Sequence, residues 1–102
     1  MAEQHDFGLV GLGVMGRNFI LNVADHGFSS MGLDTDEEKV AALKTEGSEV
    51  KVDGTTDATA FVAALKTPRK IMLLVPAGKA VDAVIETLLP HLDKGDIIID
   101  GG

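Results

Sequence analysis

Phe7-Gly8-Leu9-Val10-Gly11-Leu12-Gly13-Val14-Met15-Gly16 carries a short apolar run directly into glycines at 11, 13 and 16. An apolar run of that length ending in a glycine cluster reads as a buried strand that enters a tight turn. Beyond the turn, Met15, Phe19, Ile20, Val23 and Ala24 recur at helical spacing and are predicted to share one buried face. Gly27 follows His26 where a left-handed helix terminus is wanted. The opening of the chain is therefore a strand, a glycine turn and a helix.

The same alternation continues. Ser29 to Asp34 reads as a second strand that ends on an acid. Thr35 and Glu38 have capping-box spacing, so a helix is predicted to start there, bury Val40, Ala41 and Leu43, and stop at Gly47. Val50 to Val52 is a weak third strand. Asp57 or Thr56 caps a short helix through Leu65 with Phe61, Val62 and Leu65 inward, and Pro68 forbids its continuation. Ile71 to Val75, apolar at every position, is the clearest strand and is expected to be central. Pro76, Ala77 and Gly78 turn the chain into a helix with Val81, Val84, Ile85, Leu88 and Leu89 on its apolar face, which Pro90 bends or ends. Ile97 to Ile99 is the last strand, running into Asp100, Gly101 and Gly102. The order βαβαβαβαβ implies parallel pairing with right-handed crossovers, an α/β domain in three layers.

Bulk properties bound the partners. A chain of 102 residues builds one hydrophobic core, not two. The formal net charge of −7 argues against nucleic acid or an anionic membrane as partner, since both would be repelled. A phosphate-bearing ligand stays open, because backbone N–H groups at a helix start act at short range whatever the global charge. With no cysteine, thiol catalysis and Cys-ligated metals are excluded. His5, His26 and His91 share no metal-like spacing, so no metal is expected. Residues 1–6 are polar and the apolar runs are only strand-sized, so a cytoplasmic protein is expected.

Gly11-Leu12-Gly13-Val14-Met15-Gly16 matches G-x-G-x-x-G. The pattern alone also describes loops that bind nothing. Its position after a strand and at the start of a helix gives it the dinucleotide reading: one glycine for the turn, one for close approach of a pyrophosphate, one for helix–strand packing. This is a Rossmann-type, doubly wound arrangement. Asp34, about 20 residues on, ends the second strand where a carboxylate would accept the adenosine ribose hydroxyls; the competing reading is a plain helix cap. A carboxylate there repels the 2′-phosphate of NADP, and Thr35, Asp36, Glu37 and Glu38 supply no Arg to hold it, so NAD is the expected cofactor and NADP the alternative. Val75 to Gly78 and Asp100 to Gly102, at the carboxyl ends of their strands, either border the nicotinamide half of the cofactor or are simple turns.

Three stretches, GLGVMGRNFILNVADHGF, PRKIMLLVPAG and KGDIIIDGG, resemble the N-terminal domain of the 6-phosphogluconate dehydrogenase family in order and spacing. The resemblance implies an NAD(P)-dependent oxidoreductase of gluconate metabolism in the pentose phosphate pathway, which decarboxylates 6-phosphogluconate oxidatively to ribulose 5-phosphate. It further implies cofactor contacts at Gly11, Leu12, Gly13, Val14, Met15 and Gly16, at Asp34 and Thr35, and at Val75, Pro76 and Ala77. In that family the catalytic residues and the sugar-acid phosphate site lie beyond the first domain. Residues 1–102 are accordingly expected to be a cofactor domain without the helical C-terminal substrate domain, unable to catalyse alone, from a homodimeric parent.

Two departures from the family pattern matter. Asp34-Thr35-Asp36 stands where many members have Asn-Arg-Thr, and Pro76 stands where many have Lys. Gly13 in place of a common Ala is conservative. The rival readings are the cofactor domain of a 3-hydroxyisobutyrate-type dehydrogenase and a non-catalytic NAD(H) sensor. Elsewhere, Asp53 and Asp57 are expected to flank a Gly54-Thr55-Thr56 turn, Arg69 and Lys70 to face solvent, and Arg17 either to approach the glycine loop or to lie on the helix surface.

Overall fold

The computed structural model describes residues 4–75 and 79–100; Pro76, Ala77, Gly78, Gly101 and Gly102 lie outside the described residues, as does the side chain of Val81. Strands β1 (Phe7–Val10), β2 (Ser30–Leu33), β3 (Val52–Thr55), β4 (Lys70–Leu73) and β5 (Ile97–Asp100) alternate with helices α1 (Val14–Asp25), α2 (Glu37–Glu46), α3 (Ala58–Ala63) and α4 (Lys79–Leu88), and a short 3₁₀ turn (Leu89–His91) follows α4. All strand pairs are parallel, in the order β3-β2-β1-β4-β5. The doubly wound, five-stranded, three-layer arrangement is the one expected. The middle strand is β1, however, while β4 lies between β1 and the edge strand β5.

Side chains alternate across the sheet, so the single domain buries an apolar cluster on each face where one core was expected, because both faces are covered by helices. Leu9, Leu12, Ile20, Val40 and Leu43 pack on the α1/α2 side, and Val10, Leu33, Phe61, Val62, Leu65, Ile71, Leu73 and Leu88 on the α3/α4 side. The chain winds from β1 outward through β2 to β3, then crosses back to lay β4 on the other side of β1. Successive crossovers therefore diverge above the carboxyl end of β1, leaving a crevice there.

Several local expectations are corrected. In α1 the buried line is Gly16, Ile20 and Ala24, whereas Met15 and Phe19 are exposed. Gly16 lies against the Gly11 carbonyl, so the closest contact of helix and sheet runs through the glycine and turns its neighbour Met15 outward. Helix α2 starts at Glu37, capped by the Asp36 side chain, which accepts from Glu38 N at 2.9 Å; the Thr35–Glu38 capping box does not form. Ala41 is exposed, and Val40 and Leu43 carry the buried face.

Strand β3 is Val52–Thr55, not Val50 to Val52. Val50 closes a turn on Gly47, and Asp53 and Gly54, expected in a turn, lie inside the strand. Gly54 pairs with Gly32 of β2, and Val40 and Leu43 of α2 fill the space above this glycine pair. Tertiary packing thus overrides the poor strand propensity of Asp and Gly. Asp57 caps α3, accepting from Thr59 N at 3.1 Å, and Phe61, Val62 and Leu65 are buried as expected. Leu89 falls in the 3₁₀ turn and is exposed, because Pro90 diverts the chain before it can reach the core.

Arg69 does not face solvent. Its side chain is 12% exposed, and its guanidinium binds the Val62 carbonyl, Asp93 and the buried Asp96 carboxylate. Lys70 is exposed as expected.

Candidate dinucleotide site

The glycine loop occupies the crevice above β1. Gly11 donates to the Leu33 carbonyl at 2.9 Å and has φ +102°, in the left-handed region, while a Cβ there would meet the Leu74 carbonyl. Only glycine satisfies both conditions. The Leu12 side chain is fully buried. Its backbone is held at both ends: the N–H donates to Asp34 Oδ2 at 2.8 Å and the carbonyl accepts from Arg17 Nη1 at 2.8 Å. Gly13 is the N-cap of α1 and no side chain caps the helix.

The first-turn amides of a helix have no intrahelical acceptor, and together with the helix dipole they favour an anion. The first turn of α1 contains no acidic residue to compete for that position. Around Gly13 there is open space, since a Cβ would meet nothing within 4 Å. A phosphate could therefore approach the loop backbone directly.

Asp34 stands beside the loop, just past the end of β2. Its Oδ1 accepts from Asp36 N at 2.9 Å and its Oδ2 from Leu12 N. The cap of α2 is Asp36, so Asp34 is a tie between turn and loop rather than a helix cap. An ionised carboxylate offers about four acceptor positions, and two protein donors leave capacity for ribose hydroxyls.

A cleft of about 420 Å³ is lined by Gly11, Gly13, Asp34, Lys39, Leu74 and Val75 among others. It shares Val10, Asp34, Thr35 and Val84 with an adjoining pocket of about 210 Å³, where Leu33, Ala58 and Leu88 add apolar walls. An anion cradle, a hydroxyl acceptor and a greasy slot for a flat ring thus follow one another along the carboxyl ends of β1 and β2. Larger hollows of about 560 Å³ open at the amino ends of the strands, beside Phe7 and Lys70 and beside Met31 and Val52. Neither includes a helix start, and size alone gives them no chemistry.

Gly11, Gly13, Asp34, Thr35 and Val75 line one crevice, whereas Leu12 is buried in the core, Gly16 lies against the Gly11 carbonyl, and Val14 and Met15 are exposed, Met15 beside a separate hollow with Phe19 and Met72. Pro76 and Ala77 lie outside the described residues. The residues that sequence reasoning missed are Ala58, Val84 and Leu88, which wall the apolar slot, and Lys39, which faces the cleft from α2. Their periodicity marks α3 and α4 as amphipathic, but only the packed sheet shows which turn of each helix borders the crevice. His5 lies against Ser29, His26 against the Asn22 carbonyl and His91 against Thr59; the described residues contain no cluster able to hold a metal ion.

Fold and crevice together define a dinucleotide-binding domain of the Rossmann type. Residues 6–102 match the family model described as the NAD binding domain of 6-phosphogluconate dehydrogenase, and the chain belongs to that family. It is 55% identical over 98 residues to 6-phosphogluconate dehydrogenase, decarboxylating 2, of Saccharomyces cerevisiae, covering 95% of this chain and 20% of the relative. It is 46% identical over 100 residues to the NADP(+)-dependent, decarboxylating enzyme of Bacillus subtilis, covering 98% of this chain and 21% of the relative. The 6-phosphogluconate dehydrogenase of Plasmodium falciparum, whose structures were solved in apo form, with its cofactor NADP+ and with its substrate 6-phosphogluconate, superposes with a TM-score of 0.88 at 40% identity, covering 95% of this chain and 21% of that one. The chain spans about one fifth of the length of the curated relatives it matches.

Proposed function

We propose that residues 1–102 are the cofactor-binding domain of a longer decarboxylating 6-phosphogluconate dehydrogenase, with NAD preferred over NADP. The uncapped start of α1 within the Gly11 to Gly16 segment, with Asp34 tied to that loop, carries the reading. The amides that open α1 would hold the pyrophosphate, Asp34 and Thr35 the adenosine ribose, and Leu33, Ala58 and Leu88 the adenine. Val75 would border the nicotinamide half, as the family resemblance also implies for Pro76 and Ala77. When bound, the cofactor would supply the hydride acceptor for the oxidative decarboxylation.

Cofactor choice follows from charge. Asp34 lines the cleft and Asp36, Glu37 and Glu38 follow it in sequence at the start of α2, while Lys39 is the one cation lining this cleft among the described residues. The NADP named for the Bacillus and Plasmodium relatives is therefore the weaker ligand here. The sugar-acid phosphate site belongs to the rest of the longer protein, a cytoplasmic homodimer. The family match favours this reading over a 3-hydroxyisobutyrate-type enzyme and over a sensor.

Calorimetric titration of the chain with NADH and NADPH tests the proposal. Tighter binding of NADH is expected, with no turnover of 6-phosphogluconate by this chain alone. Tighter NADPH binding would refute the cofactor preference, and measurable turnover would refute the division of labour.

A further inference from the structure

We propose that Arg17 is a positioning residue that sets the Leu12–Gly13 peptide so that its N–H meets the cofactor pyrophosphate; this rests on the dinucleotide reading of the crevice. Arg17 sits in the second turn of α1 and bends back toward the loop. Its Nη1 donates to the Leu12 carbonyl at 2.8 Å and its Nε to Glu46 Oε2, at the end of α2, at 3.1 Å. The side chain is 19% exposed, half as much as its partner Glu46 at 42%.

A trans peptide is flat, with its C=O and N–H pointing in opposite directions. Fixing the Leu12 carbonyl on the Arg17 side therefore turns the Gly13 N–H to the other side, and Gly13 lines the cleft. At the other end of the residue, Asp34 holds the Leu12 N–H. One residue of the glycine loop is thus gripped from both sides by charged groups, a base from α1 and an acid from the end of β2. Gly13, with no Cβ and open space around it, would otherwise leave its peptide plane poorly defined.

The guanidinium suits the task because its planar fork serves two acceptors in fixed directions, which an ammonium does not. Glu46 orients the fork, and the hydrogen bond to Leu12 does the positioning. A loop amide held ready needs no reorganisation when the anion arrives.

The test compares Arg17→Met, Arg17→Gln and Glu46→Gln with the unaltered chain, using NADH, ADP-ribose and adenosine as probes in NMR and calorimetric titrations. Arg17→Met is expected to weaken NADH and ADP-ribose about tenfold while leaving adenosine, which has no phosphate, within about twofold. Arg17→Gln retains a donor for the Leu12 carbonyl and is expected to recover most of the loss, and Glu46→Gln to stay within about threefold of the unaltered chain. If Arg17→Met does not fold, Arg17→Leu, which likewise lacks a donor, takes its place, with the same selective loss expected. Equal weakening of adenosine, unchanged ADP-ribose binding, or Arg17→Gln as poor as Arg17→Met would overturn the role of Arg17. Failure of the unaltered chain to bind ADP-ribose would instead remove the site reading, and the inference with it.

Discussion

Asp34 Oδ2 accepts the backbone N–H of Leu12 at 2.8 Å, joining the end of β2 to the loop after β1 across 22 residues of sequence. The residue proposed to hold the ribose is therefore also part of the loop's own scaffold. Asp34→Asn keeps an oxygen that can accept from Leu12 but removes the charge. The ratio of NADPH to NADH affinity is expected to move toward NADPH by about tenfold, equivalent to about 1.4 kcal/mol. An unchanged ratio in paired titrations would show that the carboxylate does not govern cofactor choice.

The glycines of the loop differ in what they tolerate. A Cβ at Gly16 would run into the Gly11 carbonyl, whereas one at Gly13, with φ −65°, meets nothing within 4 Å. Gly16→Ala is expected to cost at least about 2 kcal/mol by forcing α1 away from β1. Gly13→Ala should stay within about 0.5 kcal/mol. Urea unfolding of both variants measures the difference, and equal stabilities would contradict this packing of helix on strand.

Arg69 and Asp96 form a buried pair under the turn before β5. Asp96, with its side chain 1% exposed, accepts from Arg69 N at 2.6 Å, from Asp93 N at 2.8 Å and from the Arg69 guanidinium at 2.9 Å. Burial alone would raise its pKa, but the two backbone donors and the guanidinium outweigh that and hold the carboxyl below its ordinary value of 3.8. A depressed carboxyl contributes stability that is complete above the unfolded pKa and is lost as pH falls through the folded one. Asp96→Ala should therefore cost about 3 kcal/mol near neutrality, because Arg69 is left buried without its best partner. The deficit should hold near neutrality and shrink only as pH falls below the unfolded carboxyl pKa of about 4. A constant deficit across an acid titration of unfolding would count against an ionised Asp96.

Helix α2 is capped by Asp36 and α3 by Asp57. Replacing either by Ala should lower stability by about 1 kcal/mol, and Asp57→Asn by less, since Asn also caps. Thr35→Ala should change stability by no more than about 0.5 kcal/mol. A loss at Thr35 as large as that at Asp36 in thermal unfolding would restore the capping box that the structure replaces.

The repeating alternation of apolar strand, glycine or acid turn, and amphipathic helix was readable residue by residue, because each signal is local. A helix or strand must place its apolar residues at its own period whatever surrounds it. The same holds for the G-x-G-x-x-G loop and for Asp34, since both sit at strand ends that the period already marks. What the linear chain could not show is which neighbour each residue meets. Gly54 reads as a turn until Gly32 and the face of α2 lie against it, and then it is strand. Arg69 reads as a surface base until Asp96, 27 residues later, closes over it. Met15 and Ile20 fit one helical stripe equally well, and only the contact of Gly16 with the Gly11 carbonyl turns one out and the other in. Burial and charge pairing are properties of packed neighbours brought together by the sheet order, so they emerge only once β1 is enclosed between β2 and β4.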